Sequence, residues 1–209
     1  MSRAFAEISF TPSVVAMQEC HGSAGGYAKF LAPETDRADR LGAPEADFIA
    51  SMDGGFQATV SQTGWPYVQF RGGPKGFLKV LDEKTIAYAD YRGNRQYLST
   101  GNLSENDRVA LILVDYPNRR RLKLWGRARL VNVDDDPALI EQIQDKTYRA
   151  RVERAVVITI QAFDWNCPAH IPQRMTMQEL EPALTPMRDE IEQLRAENKE
   201  LRGRLGEDG

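Results

Sequence analysis

The sequence predicts a mainly β fold with peripheral helices: an antiparallel barrel or sandwich of about six strands, followed by an amphipathic helix. Between residues 56 and 163, apolar and polar residues alternate with the period of two that is typical of strands. Short turn signals separate these segments, and helices are inserted rather than alternating with strands, which favours an antiparallel sheet over a doubly wound parallel one. Beyond residue 184, the apolar spacing changes to steps of three and four.

The first 45 residues are predicted to be an accessory extension. They are rich in Gly, Ala and Pro, and they indicate only one short helix, over residues 14–17 after a turn at Thr11. A further helix is predicted over residues 45–52, because glycines follow it directly. We therefore expect three parts: residues 1–45 as a helical or irregular extension, 46–170 as the barrel, and 177–209 as the C-terminal helix.

The barrel region contains several alternating segments and two further helices. Residues 63–64 are a turn signal that predicts a hairpin between the first two segments. A helix is predicted over residues 94–103, and stacked acidic residues at 134–136 predict the start of another, which runs through residue 143. The strand-like segments are 56–62, 65–71, 77–81, 85–90, 108–115, 121–133 and 154–163.

The C-terminal helix has heptad spacing. Its core positions are Leu184, Met187, Ile191, Leu194, Asn198, Leu201 and Leu205. A single Asn in such a seam favours a parallel two-stranded coiled coil, because two facing amides can pair whereas an amide facing Leu cannot. Three heptads are close to the lower limit for a coiled coil, so an amphipathic helix docked on the protein's own body remains the alternative.

Composition and charge narrow the function classes. The chain has 209 residues, of which 42% are hydrophobic and 27% charged, as in folded globular proteins. No apolar run reaches the length of roughly 20 residues that a membrane span needs. Two cysteines cannot form a disulfide framework, and the first residues do not resemble a signal peptide, so we expect a cytoplasmic protein.

The net charge of −3 hides a cationic middle segment. Residues 50–130 contain 13 basic and 7 acidic side chains, which gives +6, while both flanks are acidic. This pattern predicts a local site for a small anion and argues against nucleic acid as a partner. His21 and His170 are isolated, and Pro168 favours a rigid turn between Cys167 and His170 over a pair of ligands, so no metal site is expected.

Three clusters of cationic and amide side chains mark the candidate anion site. Gln69 and Arg71 share one face of a predicted strand, two residues apart. Asn94 and Arg95 lie at a strand-to-helix junction, where backbone N–H groups favour a phosphate. Arg121 and Lys123 form an alternating cationic face on a later strand. An alternative is that Lys and Arg on edge strands merely prevent pairing with other chains. This alternative explains some of these cations, but it explains the amides of Gln69 and Asn94 poorly.

Five sequence motifs together resemble the pyridoxamine 5′-phosphate oxidase-like flavin-binding proteins: residues 64–74, 77–82, 89–97, 100–103 and 121–126. The resemblance extends over about residues 45–170. It implies a six-stranded antiparallel split β-barrel that binds FMN, and a homodimer that holds the cofactor at its subunit interface.

The resemblance also implies site residues. The strand with Gln69, Phe70 and Arg71 would lie along the flavin ring and ribityl chain, and Asn94 and Arg95 would hold the phosphate. Three features depart from the family pattern: Asn94 stands where the oxidase itself has Arg, Phe70 stands where many close relatives have His, and the oxidase's C-terminal substrate-binding segment is not found. The resemblance therefore implies FMN but not pyridoxamine phosphate as the substrate. The further cofactor contacts would be Tyr88 and Ala89 on the next strand, Arg121 near the ring, and Trp165 as a late aromatic contact.

The resulting functional expectation is an FMN-dependent oxidoreductase that acts on a small organic substrate, which the sequence does not identify. A cation at Arg121 or Lys123 would stabilise negative charge on the reduced flavin ring. Two alternatives remain open. One is a non-catalytic module that stores or senses flavin, with the C-terminal helix joining it to a partner. The other is a split barrel that binds deazaflavin or haem instead.

Overall fold

The structure, a computed structural model, describes residues 1–165 and 168–206. These fall into two compact units. The first comprises residues 1–115 and 119–170, and the second comprises 116–118 with the chain from 171 onward. The expected barrel therefore lies in the first unit, and the expected C-terminal helix lies in the second.

The helices and strands follow the predicted order, with additions near the N-terminus. The helices are α1 (Arg3–Ser9), α2 (Pro12–Cys20), α3 (Ala24–Ala28), a 3₁₀ turn (Lys29–Leu31), α4 (Ala43–Ser51), α5 (Leu98–Glu105), α6 (Pro137–Ile143) and α7 (Met177–Leu205). The strands are β1 (Gly54–Val60), β2 (Pro66–Gly72), β3 (Leu78–Asp82), β4 (Thr85–Tyr91), β5 (Arg108–Asp115), β6 (Arg120–Asn132) and β7 (Val152–Trp165).

The first unit contains one antiparallel sheet with the strand order β2-β1-β5-β6-β7-β4-β3. The described residues thus form seven strands, so the prediction of six is wrong by one. The short strand β3 pairs only with β4, and its register shifts between Val80 and Asp82. Each of the seven strands nevertheless corresponds to one of the strand-like segments of the sequence, and β3 corresponds to residues 77–81.

The sheet curls into a split barrel around one apolar core. Leu113 on β5, Leu122 on β6 and Ile158 on β7 point inward and are fully buried. The phenol of Tyr88 on β4 donates a 2.7 Å hydrogen bond to Gln57 Oε1 on β1, although three strands separate β1 and β4 in the sheet order. A contact between such distant strands requires the sheet to bend back on itself, so the barrel closes through its interior.

The N-terminal extension contains more helix than predicted: it has three helices, and the one expected over residues 14–17 extends over Pro12–Cys20. Helix α1 begins after Ser2, whose hydroxyl accepts from the Phe5 amide, and Phe5 stacks on Trp125 of β6 at 4.6 Å. This helix lies over the outer face of β6 and β7. Sequence periodicity missed it because seven residues are too few to show a 3.6-residue period.

The predicted helix over residues 94–103 is displaced in the structure. The chain remains irregular through Tyr97, with positive φ angles at Arg95 and Tyr97, and α5 begins at Leu98 and ends at Glu105. In contrast, the acidic cap before α6 is confirmed, since the Asp136 carboxylate accepts from the Leu139 amide at 3.0 Å.

The second unit consists mainly of α7, a helix of 29 residues. It begins with a capping box in which Thr176 and Glu179 satisfy each other's backbone amides. Pro182 and Pro186 lie in its first three turns, and the remainder is uninterrupted. None of the helices in the described ranges is long and apolar enough to span a bilayer.

Candidate functional site

A groove of about 240 Å³ opens at the split of the barrel, between β2 and the end of β4. One wall is formed by the groove-facing side chains of β2, and the other by Asp90, the loop after β4, the start of α5 and Glu153 on β7. The residues that line it are Tyr67, Gln69, Arg71, Asp90, Tyr91, Gly93, Asn94, Arg95, Gln96, Tyr97, Leu98, Ser99, Thr100 and Glu153. Sequence analysis placed four of these in the anion site: Gln69, Arg71, Asn94 and Arg95.

An ion pair holds the two walls together. Arg71 Nη1 on β2 lies 3.0 Å from Asp90 Oδ1 on β4, and both side chains are largely buried. Arg154 on β7 approaches the other carboxylate oxygen of Asp90 at 3.7 Å and donates to the Thr100 hydroxyl at 2.9 Å. Burial raises the pKa of Asp90, and the neighbouring Arg71 and Arg154 oppose this shift. The pairs therefore offset the cost of burying Asp90 and fix the groove's width.

The start of α5 provides open hydrogen-bond donors. Its N-cap residue, Tyr97, has left-handed backbone angles and makes no side-chain capping hydrogen bond within the described chain. The first amides of a helix have no intrahelical acceptor, and the positive end of the helix dipole attracts anions. The hydroxyl of Ser99, in the first turn of α5, donates to Gln69 Oε1 on β2 at 3.2 Å. These groups suit a phosphate.

Arginine side chains flank this helix start. Arg95 lines the groove, and the φ angle of +64° at this residue turns the chain between β4 and α5. Asn94 Oδ1 accepts from the Gln96 amide at 3.1 Å, which holds the turn in shape. Arg71 Nε is buried and has no hydrogen-bond partner in the part of the chain that the structure describes. A ligand with acceptor oxygens would satisfy that donor.

Sequence reasoning missed several groove residues. Glu153 accepts from the Tyr97 hydroxyl at 3.2 Å and from Arg154 Nη2 at 3.1 Å, so it links β7 to the loop before α5. Asp90 and Arg154 were missed because their partners lie on other strands. An alternating pattern identifies which face a residue occupies but not which distant residue it meets.

Three of the expected contacts do not face the groove. Phe70 lies on the outer face of β2, where it meets Phe56 at 5.6 Å, because consecutive strand residues point to opposite faces. Tyr88 points into the barrel, beneath Arg71. Ala89 packs on the other face with Val131 and residues of α6.

The expected ring contacts lie elsewhere on the same chain. Lys123 Nζ pairs with Asp164 at 2.9 Å. Arg121 is half-buried on β6 and pairs in register with Val114 of β5. Trp165 donates its indole N–H to Glu45 at 2.7 Å and packs on Phe48. These three residues do not line the groove of their own chain.

The residues that the structure describes contain no cluster of three or more His, Cys, Asp or Glu side chains that could hold a metal ion. His170 lies in a turn. Cys167, which the sequence analysis considered and disfavoured as a second ligand beside His170, is outside the described residues.

The fold and the groove define a split β-barrel protein with a polar, arginine-lined cleft between β2 and the end of β4. The family model described as pyridoxamine 5′-phosphate oxidase matches residues 45–165, more than half of the chain. The chain therefore belongs to the pyridoxamine 5′-phosphate oxidase family. The matched residues run from α4 to the end of β7, so they include every strand of the barrel and the whole groove.

Solved structures with similar folds have low sequence identity to this chain. A variant of HupZ from Group A Streptococcus is 14% identical, with a TM-score of 0.47, covering 60% of this chain and 99% of that one. An FMN-binding protein from Syntrophomonas wolfei is 13% identical, with a TM-score of 0.46, covering 58% and 83%. General Stress Protein 26 from Bacillus anthracis is 14% identical, with a TM-score of 0.44, covering 57% and 88%. No curated protein matches by sequence.

Proposed function

We propose that this chain binds FMN in the groove at the barrel split and acts as an FMN-dependent oxidoreductase on a small organic substrate. The observation that carries the proposal is the open N-terminus of α5 beside Arg95, within a barrel of the pyridoxamine 5′-phosphate oxidase family. Bound FMN would supply hydride or electron transfer, and the protein's part is to place and orient it.

The residues present fit the phosphate end of FMN. The first amides of α5, the Thr100 hydroxyl and the Arg95 guanidinium lie along one end of the groove. Charge-assisted hydrogen bonds from arginine to phosphate are among the strong polar contacts in proteins. The acidic lining residues are engaged by arginines: Asp90 by Arg71, and Glu153 by Arg154. A dianion would therefore meet donors rather than unpaired carboxylates.

The size of the groove favours a second copy of the chain as part of the site. Pockets that bury small-molecule ligands have volumes of roughly 300–1,000 Å³, so about 240 Å³ is too little to bury a whole flavin. On the outer face of the same strand, Val68 and Phe70 are 59% and 60% exposed, beside Phe56 and Ile112. We infer that this apolar face is covered by a second barrel in a homodimer, which would complete the pocket.

A pair of titrations tests the phosphate assignment. FMN and riboflavin differ only in the phosphate, so Arg95→Ala should weaken FMN binding by about 1.5–3 kcal/mol and leave riboflavin binding unchanged. Arg127→Ala is the matched control, because Arg127 pairs with Asp107 in an exposed position outside the groove. Flavin fluorescence quenching measures both affinities. Protein that binds neither flavin, or an Arg95→Ala variant with unchanged FMN affinity, would refute the assignment.

A charge placed on the outer apolar face tests the homodimer. Val68→Glu should convert the dimer to monomer in sedimentation velocity and weaken both FMN and riboflavin, since it removes part of the pocket. Val14→Glu, a similar change on the exposed side of α2, should do neither. Both substitutions are made in a chain without residues 184–209, so that contacts between C-terminal helices cannot hide the loss of the barrel interface. If Val68→Glu sediments like the unaltered barrel, this face is not the interface.

Reduction of the FMN-loaded protein separates an oxidoreductase from a passive flavin carrier. An enzyme of the proposed class should be reduced by NADH, NADPH or an organic donor and reoxidised repeatedly, as followed by the flavin absorbance. Free FMN at the same concentration is the control. If the loaded protein shows no turnover above that control with any donor, the flavin-binding module becomes the better description.

A further inference from the structure

The seam of α7 is an apolar stripe of exposed side chains. Ile191 and Leu194 are 47% and 50% exposed, and Leu205 is 72% exposed. Within the described helix every residue from Thr185 onward is exposed, including the seam. Exposed leucines at regular spacing are costly in water, and a helix with such a stripe normally buries it against a partner.

We propose that α7 joins two copies of this chain as a parallel, in-register, two-stranded coiled coil. The step of four residues from Met187 to Ile191 identifies Met187 as position d and Ile191 as position a of the heptad. The a positions are then Leu184, Ile191, Asn198 and Leu205, and the d positions are Met187, Leu194 and Leu201. Ile191 at a and Leu194 at d form the combination that favours two parallel strands.

The charges beside the seam select the second copy and its direction. In a parallel pair, each g residue meets the e residue five positions later on the other helix. Glu190 then faces Arg195 of the second copy, and Glu197 faces Arg202, with each contact made twice by symmetry. An antiparallel pair would instead place e against e. The e residues are all arginines, so that arrangement is repulsive: Arg188, Arg195 and Arg202.

Asn198 fixes the register. In the single chain its side-chain amide donates back to the Leu194 carbonyl at 3.1 Å, and the residue is exposed. In a parallel pair, and only in register, the two Asn198 amides meet at the same a layer and hydrogen-bond to each other. A shift by one heptad would place each amide against Leu205 or Ile191, at the cost of an unpaired buried amide.

The prolines define where the coil starts. Pro182 and Pro186 remove backbone donors from the first turns of α7, so tight packing is expected from Met187 to Leu205. This short coil acts together with any contact between barrels, because tethering two modules raises the effective concentration of each. The proposal does not depend on flavin binding, since none of its residues lines the groove.

Disulfide cross-linking of the full chain tests the proposal. In a Cys20→Ser/Cys167→Ser background, Met187→Cys and Leu201→Cys each place one thiol at a d position, and Ala196→Cys places it on the outer face as the control. We expect both d variants to form covalent dimers on mild oxidation, and the control to remain reduced. In an antiparallel pair each d position faces an a position, so neither d variant would cross-link readily with itself. Met187→Cys and Leu201→Cys variants that react no faster than the control would overturn the proposal.

Charge reversal distinguishes specific pairing from chance collision. With Leu201→Cys as the reporter, Arg195→Glu/Arg202→Glu should slow cross-linking at least about tenfold, because four attractive contacts become repulsive. Glu190→Arg/Glu197→Arg should slow it similarly, although the net charge changes in the opposite direction. Coexpression of the two variants should restore cross-linking as a mixed dimer. Failure of the mixture to recover would contradict the assigned pairing.

Discussion

Tyr88→Phe removes the hydrogen bond that closes the barrel, and its cost follows from the surroundings of Gln57. Gln57 is fully buried, and its Nε2 already has no partner among the described residues. Losing the 2.7 Å bond from Tyr88 leaves the Gln57 carbonyl unpaired as well. A lost buried hydrogen bond with a stranded acceptor costs about 2 kcal/mol of unfolding free energy. Tyr88→Phe should show this loss in urea unfolding monitored by tryptophan fluorescence.

Tyr97→Phe is the control, because it removes a phenol that donates to Glu153 from an exposed position. Its expected cost is below about 0.5 kcal/mol. Equal destabilisation by the two substitutions would refute the argument that interior closure at Tyr88 stabilises the barrel. A change in the slope of the unfolding free energy against urea concentration, rather than in the midpoint, would instead indicate a change in the compactness of the folded or unfolded state.

The same substitution gives a pH test. Burial raises the pKa of Tyr88, with Arg71 opposing and Asp90 adding to the shift. The unfolded phenol ionises near pH 10, while the folded one keeps its proton, so the stability from Tyr88 is present below pH 10 and lost as the pH rises. The gap between wild type and Tyr88→Phe should narrow by about 1 kcal/mol between pH 10 and 11. A constant gap would contradict the buried position.

Two further substitutions test local features of the fold in thermal melts. Gly126→Ala should destabilise the protein by about 1–3 kcal/mol, because the new Cβ would lie 2.6 Å from Ile158 Cγ2 and 2.7 Å from the Thr159 carbonyl oxygen. Gly93→Ala is the control and should be close to neutral, because there is open space around Gly93. Asp136→Ala should cost about 1 kcal/mol through the lost cap of α6, and an unchanged melting temperature would show that the cap contributes nothing.

Much of the fold was predictable because the strands carry local alternation. The pattern in β2 places Gln69 and Arg71 together on one face, and the structure confirms that both line the groove. Phe70 lies on the opposite face of β2, so its side chain does not line the groove of its own chain, and its contact with flavin stays a prediction.

The electrostatic framework of the site could not be predicted from the sequence. Asp90 and Arg71 are 19 positions apart, and Arg154 joins them from a strand near the end of the barrel. Nothing local in the chain encodes such a meeting, because it depends on how the sheet curls. The pairing of Lys123 with Asp164 has the same origin.

The strand order has a consequence for synthesis of the chain. β4 lies between β3 and β7, so the edge of β4 that pairs with β7 has no partner until residues 152–165 have been made. At ribosomal rates of about 5–20 residues per second, the delay after β4 is on the order of ten seconds. During that time the β3–β4 hairpin presents an apolar, unpaired edge. We expect the nascent barrel to need protection from aggregation in this interval, and truncations that end before β7 to be insoluble.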